Sequence, residues 1–224
     1  MTSLPFQAVL FDMDGTLVDT EPLWQRAEIA MMSNYGLPWS EADQAYCLGG
    51  SAVRVSRYMT DLIEASGQTA PAPEDLVESF MSDMLRQLRQ HPPSPQPGVT
   101  ALLEEVRRAE LPTALVTSST QPLMEAVLDA IGRQWFDVTV HSGSVQRHKP
   151  DPEPYLLAAS LLSVDSSRSI AVEDSPTGAA SATDAGCFVV AIQHMATIEQ
   201  QPRREVVGDL LGVNLTWLAD HYRD

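Results

Sequence analysis

The chain has 224 residues, 44% apolar and 20% charged, enough to bury a substantial core in one domain or in a domain carrying an insertion. A formal net charge of −16 argues against non-specific binding to nucleic acid or an anionic membrane surface, both of which need a basic face. No apolar run approaches the ~20 residues of a membrane span, no secretory signal pattern opens the sequence, and Cys47 and Cys187 lie in unrelated contexts, so a cytoplasmic protein with two free thiols is expected.

In chain order, QAVLFD (7–12) is a short apolar run ending in acid, the pattern of a strand covered on both faces. Residues 20 to about 91 hold no strand pattern and read as amphipathic helices: EPLWQRAEIAMMSNYG, a short piece around WSEADQAYCLG, SAVRVSRYMTDLIEASG and PEDLVESFMSDMLRQLRQ. Gly36, Gly49, Gly50 and Gly67 fall at the expected stops. Met31, Met32, Met59, Met81 and Met84, at helical spacings, are expected to fill this segment's core. HPPSPQPG (91–98) can be neither helix nor interior strand and makes a stiff connector. Beyond it the pattern alternates. The helical stretches VTALLEEVRRAE, QPLMEAVLDAIG, DPEPYLLAASLL and SPTGAASATDAG are interleaved with the strand-like runs PTALVTS (112–118), FDVTVHS (136–142), SIAVED (169–174) and GCFVVAI (186–192). Such alternation predicts an α/β fold, a parallel sheet with helices on both faces and a helical module inserted after the first strand.

Ligands of open parallel sheets bind beyond the carboxyl ends of the strands. The first strand delivers DMDGT (12–16) there and the second TSS (117–119). The third leads through SGSVQRH to Lys149, and the fourth delivers Glu173 and Asp174. Asp12 and Asp14 stand two apart on a chain that turns at Gly15; with Asp174 they offer hard oxygen ligands suited to Mg²⁺. The hydroxyls and N–H groups of TSS, just before a helix, can hold phosphoryl oxygens. Lys149 is the single lysine beside thirteen arginines, which marks a place for a compact charge rather than a planar fork. A carboxylate held near Mg²⁺ and lysine can attack phosphorus and form an aspartyl-phosphate. A locally cationic site also reconciles an anionic substrate with an acidic chain. His141 and His148 are read as loop residues, because hard ligands surround them.

FDMDGTLVDTEPLW, LVTSS, HKPDPEPY and AVEDSPTGAASATDAG together resemble the four motifs of the haloacid dehalogenase-like superfamily, in order and over nearly the whole chain. The resemblance implies a Rossmann-like doubly wound parallel core made of residues 1–18 and 95–224. It also implies a helical cap over 19–94 that hinges near 17–20 and 92–97. It assigns Asp12 as nucleophile, Asp14 as general acid and then base, and Thr117 with the Ser118 amide and Ser119 as phosphate contacts. Lys149 would bridge nucleophile and phosphate. Mg²⁺ would be held by Asp12, the Asp14 carbonyl and Asp174, with Glu173 a direct or water-mediated ligand. Thr16 and the amides of Met13 and Asp14 would complete the phosphate cradle.

Within the superfamily, Asp14 and Asp174 argue against a dehalogenase, and a cap without lysine argues against a phosphonoacetaldehyde hydrolase. The cap loop LGGSAVR (48–54) keeps the glycine of the related sugar phosphomutases but displaces their arginine to Arg54. The expected activity is therefore Mg²⁺-dependent hydrolysis of a small phosphomonoester, a sugar or polyol phosphate. A β-phosphoglucomutase-like mutase and a non-catalytic phosphate-binding regulator are the alternatives. Gly49, Gly50, Ser51 and Arg54 are the expected substrate contacts of the cap, and Trp24 is either a further one or a core aromatic. A small-molecule ester is the expected partner, with neither nucleic acid nor membrane. A monomer is expected, a dimer being the alternative.

Overall fold

The computed structural model describes residues 4–47, 52–193 and 197–223. The chain divides into two compact units, Met1–Asp19 with Pro93–Asp224, and Thr20–Pro92. The first unit is built on six parallel strands in the order β3-β2-β1-β4-β5-β6. These are β1 (Ala8–Phe11), β2 (Thr113–Val116), β3 (Val138–Val140), β4 (Ser169–Glu173), β5 (Phe188–Ile192) and β6 (Arg204–Val207). The order runs outward from β1 in one direction as far as β3, then in the other from β4. A doubly wound sheet of this kind places its crevice at the reversal between β1 and β4. Register there pairs Ala8 with Ser169 and Phe11 with Val172.

Every residue of β1, β2, β4 and β5 is buried, as their unbroken apolar runs require of strands covered on both faces. One face, carrying Ala8, Leu10, Ala114, Val116, Ala171 and Val189, packs against α7 (Glu153–Leu162) and α8 (Pro176–Asp184) through Tyr155, Ala158, Ala179 and Ala182. Small residues on α8 let it lie close to the sheet. The remaining α-helices of this unit among the described residues are α5 (Val99–Arg108), α6 (Gln121–Ile131) and α9 (Leu215–His221). β6 and α9 have no counterpart in the sequence reading. REVV is a four-residue strand paired only with β5, three of its residues half-buried, so it lacks the apolar run that marks the inner strands.

The second unit contains α1 (Glu21–Ser33), α2 (Glu41–Cys47), α3 (Ala52–Ala65) and α4 (Pro73–Gln90). Its core gathers Ala27, Met31, Met32, Cys47, Val55, Met59, Ile63, Leu76 and Phe80. Trp24 packs on this core, its ring 5.6 Å from that of Phe80. Met84 is fully buried, and Met81 is half-buried against the same cluster. Both cysteines are buried free thiols. No helix among the described residues is long and apolar enough to cross a membrane.

Glu28 is an acid in this apolar setting. It is 3% exposed, and its Oε2 has no hydrogen-bond partner. Burial, with the charge of Glu21 adding to it, pushes its carboxyl up to about 7, while Trp39 and Gln44 pull it the other way. An acid whose folded pKa lies above its unfolded value binds its proton more tightly when folded. Stability is then full at low pH, falls as pH rises from about 4.5 through about 7, and levels off above. Glu28→Gln is expected to flatten that dependence and to stabilise the protein at pH 8 by on the order of 1 to 2 kcal/mol. Urea unfolding at pH 5 and pH 8, following tryptophan fluorescence, checks it.

Candidate active site

β1 delivers Asp12 directly to the sheet's carboxyl rim, with its backbone N–H donating to the Val172 carbonyl of β4 at 3.0 Å. The chain then reverses tightly. Leu17 N–H reaches the Met13 carbonyl at 2.9 Å, Gly15 N–H reaches the Val18 carbonyl at 2.8 Å, and Gly15 takes φ +81°. A β-carbon at position 15 would overlap the Asp174 carboxylate, so glycine is needed both for its backbone angle and for its lack of a side chain. Gly15→Ala is expected to displace Asp174, to lower the thermal midpoint by several degrees and to reduce turnover at least about tenfold. Calorimetric unfolding beside a turnover assay reads both.

Lys149 comes from the loop between β3 and α7, and its side chain is only 5% exposed. Its ammonium donates to Asp12 Oδ1 at 2.6 Å, to Glu173 Oε1 at 2.6 Å and to the Val116 carbonyl at 2.9 Å. Three acceptors therefore meet the three N–H bonds of one ammonium. The two carboxylates outweigh burial and push the lysine's pKa upward, so it stays charged.

Glu173, at the end of β4, is fully buried. Its Oε1 also accepts from the Tyr155 hydroxyl at 2.7 Å, and its Oε2 accepts from the Ser175 hydroxyl at 3.2 Å. A side chain at position 178 would collide with this carboxylate, so Gly178 on α8 makes room for it. Asp174 accepts from the Thr16 hydroxyl at 3.0 Å. Asp14 sits beside them, its Oδ2 taking the Ser119 hydroxyl at 2.7 Å and the Thr117 hydroxyl at 3.4 Å, while Ser119 N–H donates to Thr117 Oγ1 at 2.9 Å.

The four strand ends named from the sequence thus gather Asp12, Asp14, Thr16, Thr117, Ser119, Lys149, Glu173 and Asp174, joined in three hydrogen-bonded sets. Ser118, between two of them, is exposed. Three hydroxyls make contacts that the sequence reading did not assign, Thr16 on Asp174 and both Ser119 and Thr117 on Asp14. Tyr155 and Ser175 were missed altogether. Tyr155 lies within a quoted motif, yet no pattern separates a buried tyrosine that bonds a carboxylate from one that only packs. His141 accepts from its own loop at Gly143 N–H, and His148 is an exposed loop residue. Arg54 belongs to the helical unit, where its guanidinium lies over the Tyr46 ring at 4.9 Å and donates to the Tyr46 carbonyl. Gly49, Gly50 and Ser51 lie outside the described residues.

Asp12, Glu173 and Asp174 each present an oxygen, all within 4.8 Å of one another. Burial first, and then the neighbouring carboxylates, push Asp12 up to about 7 and Asp174 up to about 9. Lys149 alone does not balance this crowd of acids. A hard divalent cation would, and the all-oxygen donor set is of the kind Mg²⁺ takes.

The sequence pattern of the haloacid dehalogenase-like hydrolases matches residues 9–192. The chain belongs to that family. Hexitol phosphatase A of Escherichia coli K12 is 34% identical over 184 residues, spanning 82% of this chain and 81% of the relative. The phosphorylated carbohydrates phosphatase of Thermotoga maritima is 31% identical, over 80% and 82% of the two chains. Among solved structures, CbbY from Rhodobacter sphaeroides in complex with phosphate superposes with a TM-score of 0.77 at 27% identity, covering 92% of this chain and 95% of the other. Its family and its phosphatase relatives make the chain a phosphomonoester hydrolase.

Proposed function

We propose that the chain hydrolyses the phosphate esters of small sugars or polyols in a Mg²⁺-dependent reaction, through an aspartyl-phosphate on Asp12. The observation that carries this reading is the shared ammonium of Lys149, which holds one oxygen of Asp12 at 2.6 Å in a pocket of three further carboxylates. Asp12 attacks phosphorus, forming a P–O bond as the ester oxygen leaves. Asp14, supported by Ser119 and Thr117, gives that oxygen a proton and then takes one from the water that cleaves the acyl phosphate. Lys149 offsets the repulsion between carboxylate and phosphate. Thr117 and the amides of the turn after Asp12 bind phosphoryl oxygens.

Asp12 and Asp174 are the side chains best placed to hold Mg²⁺, because both oxygens of Glu173 already take protein donors. When bound, the ion supplies charge neutralisation and orientation of the phosphoryl group. The hexitol and carbohydrate phosphatase relatives support sugar or polyol phosphates as the substrate class.

The test is phosphate release from a panel of hexose, hexitol and nucleotide monophosphates, with Mg²⁺ and with chelator. Release from sugar or polyol phosphates that chelator abolishes supports the reading. Conversion of β-glucose 1-phosphate to glucose 6-phosphate without free phosphate would replace it with a mutase, and binding without turnover would make the protein a phosphate-ligand sensor.

A further inference from the structure

The mechanism above leaves unused a fully buried hydroxyl bonded to Glu173. Tyr155, on the first turns of α7, is 0% exposed, and its ring forms part of the sheet-facing core. Its hydroxyl lies 2.7 Å from Glu173 Oε1, the same oxygen that takes Lys149 at 2.6 Å. The ring itself lies beneath the ammonium, whose nitrogen is 5.0 Å from the ring centroid. The contacts form a line: Tyr155 hydroxyl, Glu173 carboxylate, Lys149 ammonium, Asp12 carboxylate.

We infer that Tyr155 is a positioning residue, which holds Glu173 in place and draws off part of its negative charge so that Lys149 stays shared with Asp12. The physical reason lies in the competition for one ammonium. Asp12 and Glu173 pull on Lys149 from equal distances, and an extra donor on one acceptor weakens that acceptor's hold on the rest. Glu173 already has Ser175 on its other oxygen, and the carboxylate fills the space that the missing side chain of Gly178 leaves on α8. With the hydroxyl gone, Glu173 would have only the lysine on Oε1 and would draw it inward, away from the nucleophile. The aromatic ring adds a cation–π contact that phenylalanine would keep. The hydroxyl is thus the part of Tyr155 that acts on the chemistry, and the ring is the part that packs.

This inference rests on the aspartyl-phosphate reading, and its test separates the two. Tyr155→Phe removes one oxygen and keeps the ring. With p-nitrophenyl phosphate and Mg²⁺, kcat is expected to fall about tenfold and KM to rise about threefold, while the thermal midpoint moves by no more than a few degrees. Calorimetric titration with inorganic phosphate and Mg²⁺, which needs no turnover, is expected to give several-fold weaker binding. A double-mutant cycle with Glu173→Gln supplies the readout that packing alone would not move: Tyr155→Phe is expected to add less than about twofold once Glu173 is neutral. Full multiplicative loss in that cycle would overturn the inference. So would unchanged kcat and phosphate affinity in Tyr155→Phe, or loss of cooperative unfolding, which would make the hydroxyl a determinant of the fold. Absence of turnover in the unaltered protein would count against the phosphatase reading, and phosphate titration would still decide the role of Tyr155.

Discussion

Asp12→Asn is expected to leave Mg²⁺-supported binding of phosphate esters largely intact while phosphate release falls by about 10⁴-fold or more. The substitution is nearly isosteric, and the amide oxygen can still accept from Lys149, as Asp12 Oδ1 does at 2.6 Å. The loss is therefore of a nucleophile and not of a shape. The same change removes one of the crowded buried charges, so the thermal midpoint is expected to hold or rise. Burial and the neighbouring acids already push the Asp12 carboxyl up to about 7, which means its charged form opposes folding near neutral pH. Phosphate release and calorimetric unfolding on the same preparation check both halves. Activity above about 1% of the unaltered protein would mean that water attacks phosphorus directly.

Lys149→Arg is expected to reduce kcat/KM by about 10²-fold, although it keeps the charge. Three acceptors converge on a single nitrogen at 2.6 to 2.9 Å, and the side chain is almost wholly enclosed. A guanidinium spreads its donors in a plane and cannot give all three bonds from one point. It would have to give up the Val116 carbonyl or push Asp12 and Glu173 apart. Lys149→Met, which removes the charge, is expected to be worse, about 10³-fold, and to destabilise the protein, because two buried carboxylates would face each other without a cation. Near-equal losses in the two variants would show that charge without the lysine's geometry gives the site nothing. The chain's preference for arginine elsewhere makes the comparison informative.

Five of the six strands among the described residues, the edge strand β3 included, were legible as short β-branched or aliphatic runs between helical stretches. FD at 11–12 and ED at 173–174 are both strand end and site, so one pattern announces fold and chemistry together. β6 was not legible, since REVV opens with two charged residues and leaves only two apolar ones to mark a strand. α9, seven residues long, is too short for periodicity to register. Within the site, the sequence indicated which side chains gather and could not say which bonds they make. Whether Thr16 meets a phosphate or Asp174, and whether Ser119 meets a phosphate or Asp14, depends on register between strand ends about a hundred or more residues apart. Tyr155 was hidden for the same reason. Its apolar setting is readable from helix spacing, but its hydroxyl's partner is fixed only when α7 docks on the sheet and meets the end of β4.

The order of strands also has a kinetic consequence. β1 lies between β2 and β4, and Thr16 and Asp174, which bond across that junction, are 158 residues apart in sequence. Contacts so distant close slowly, whereas helices such as α1 to α4 form from neighbours in the chain. During refolding, helical circular dichroism can therefore recover well before any catalysis does. Enzyme activity then reports on completion of the central sheet, the last event rather than the average one, and a nascent chain has no active site until β4 has emerged and paired.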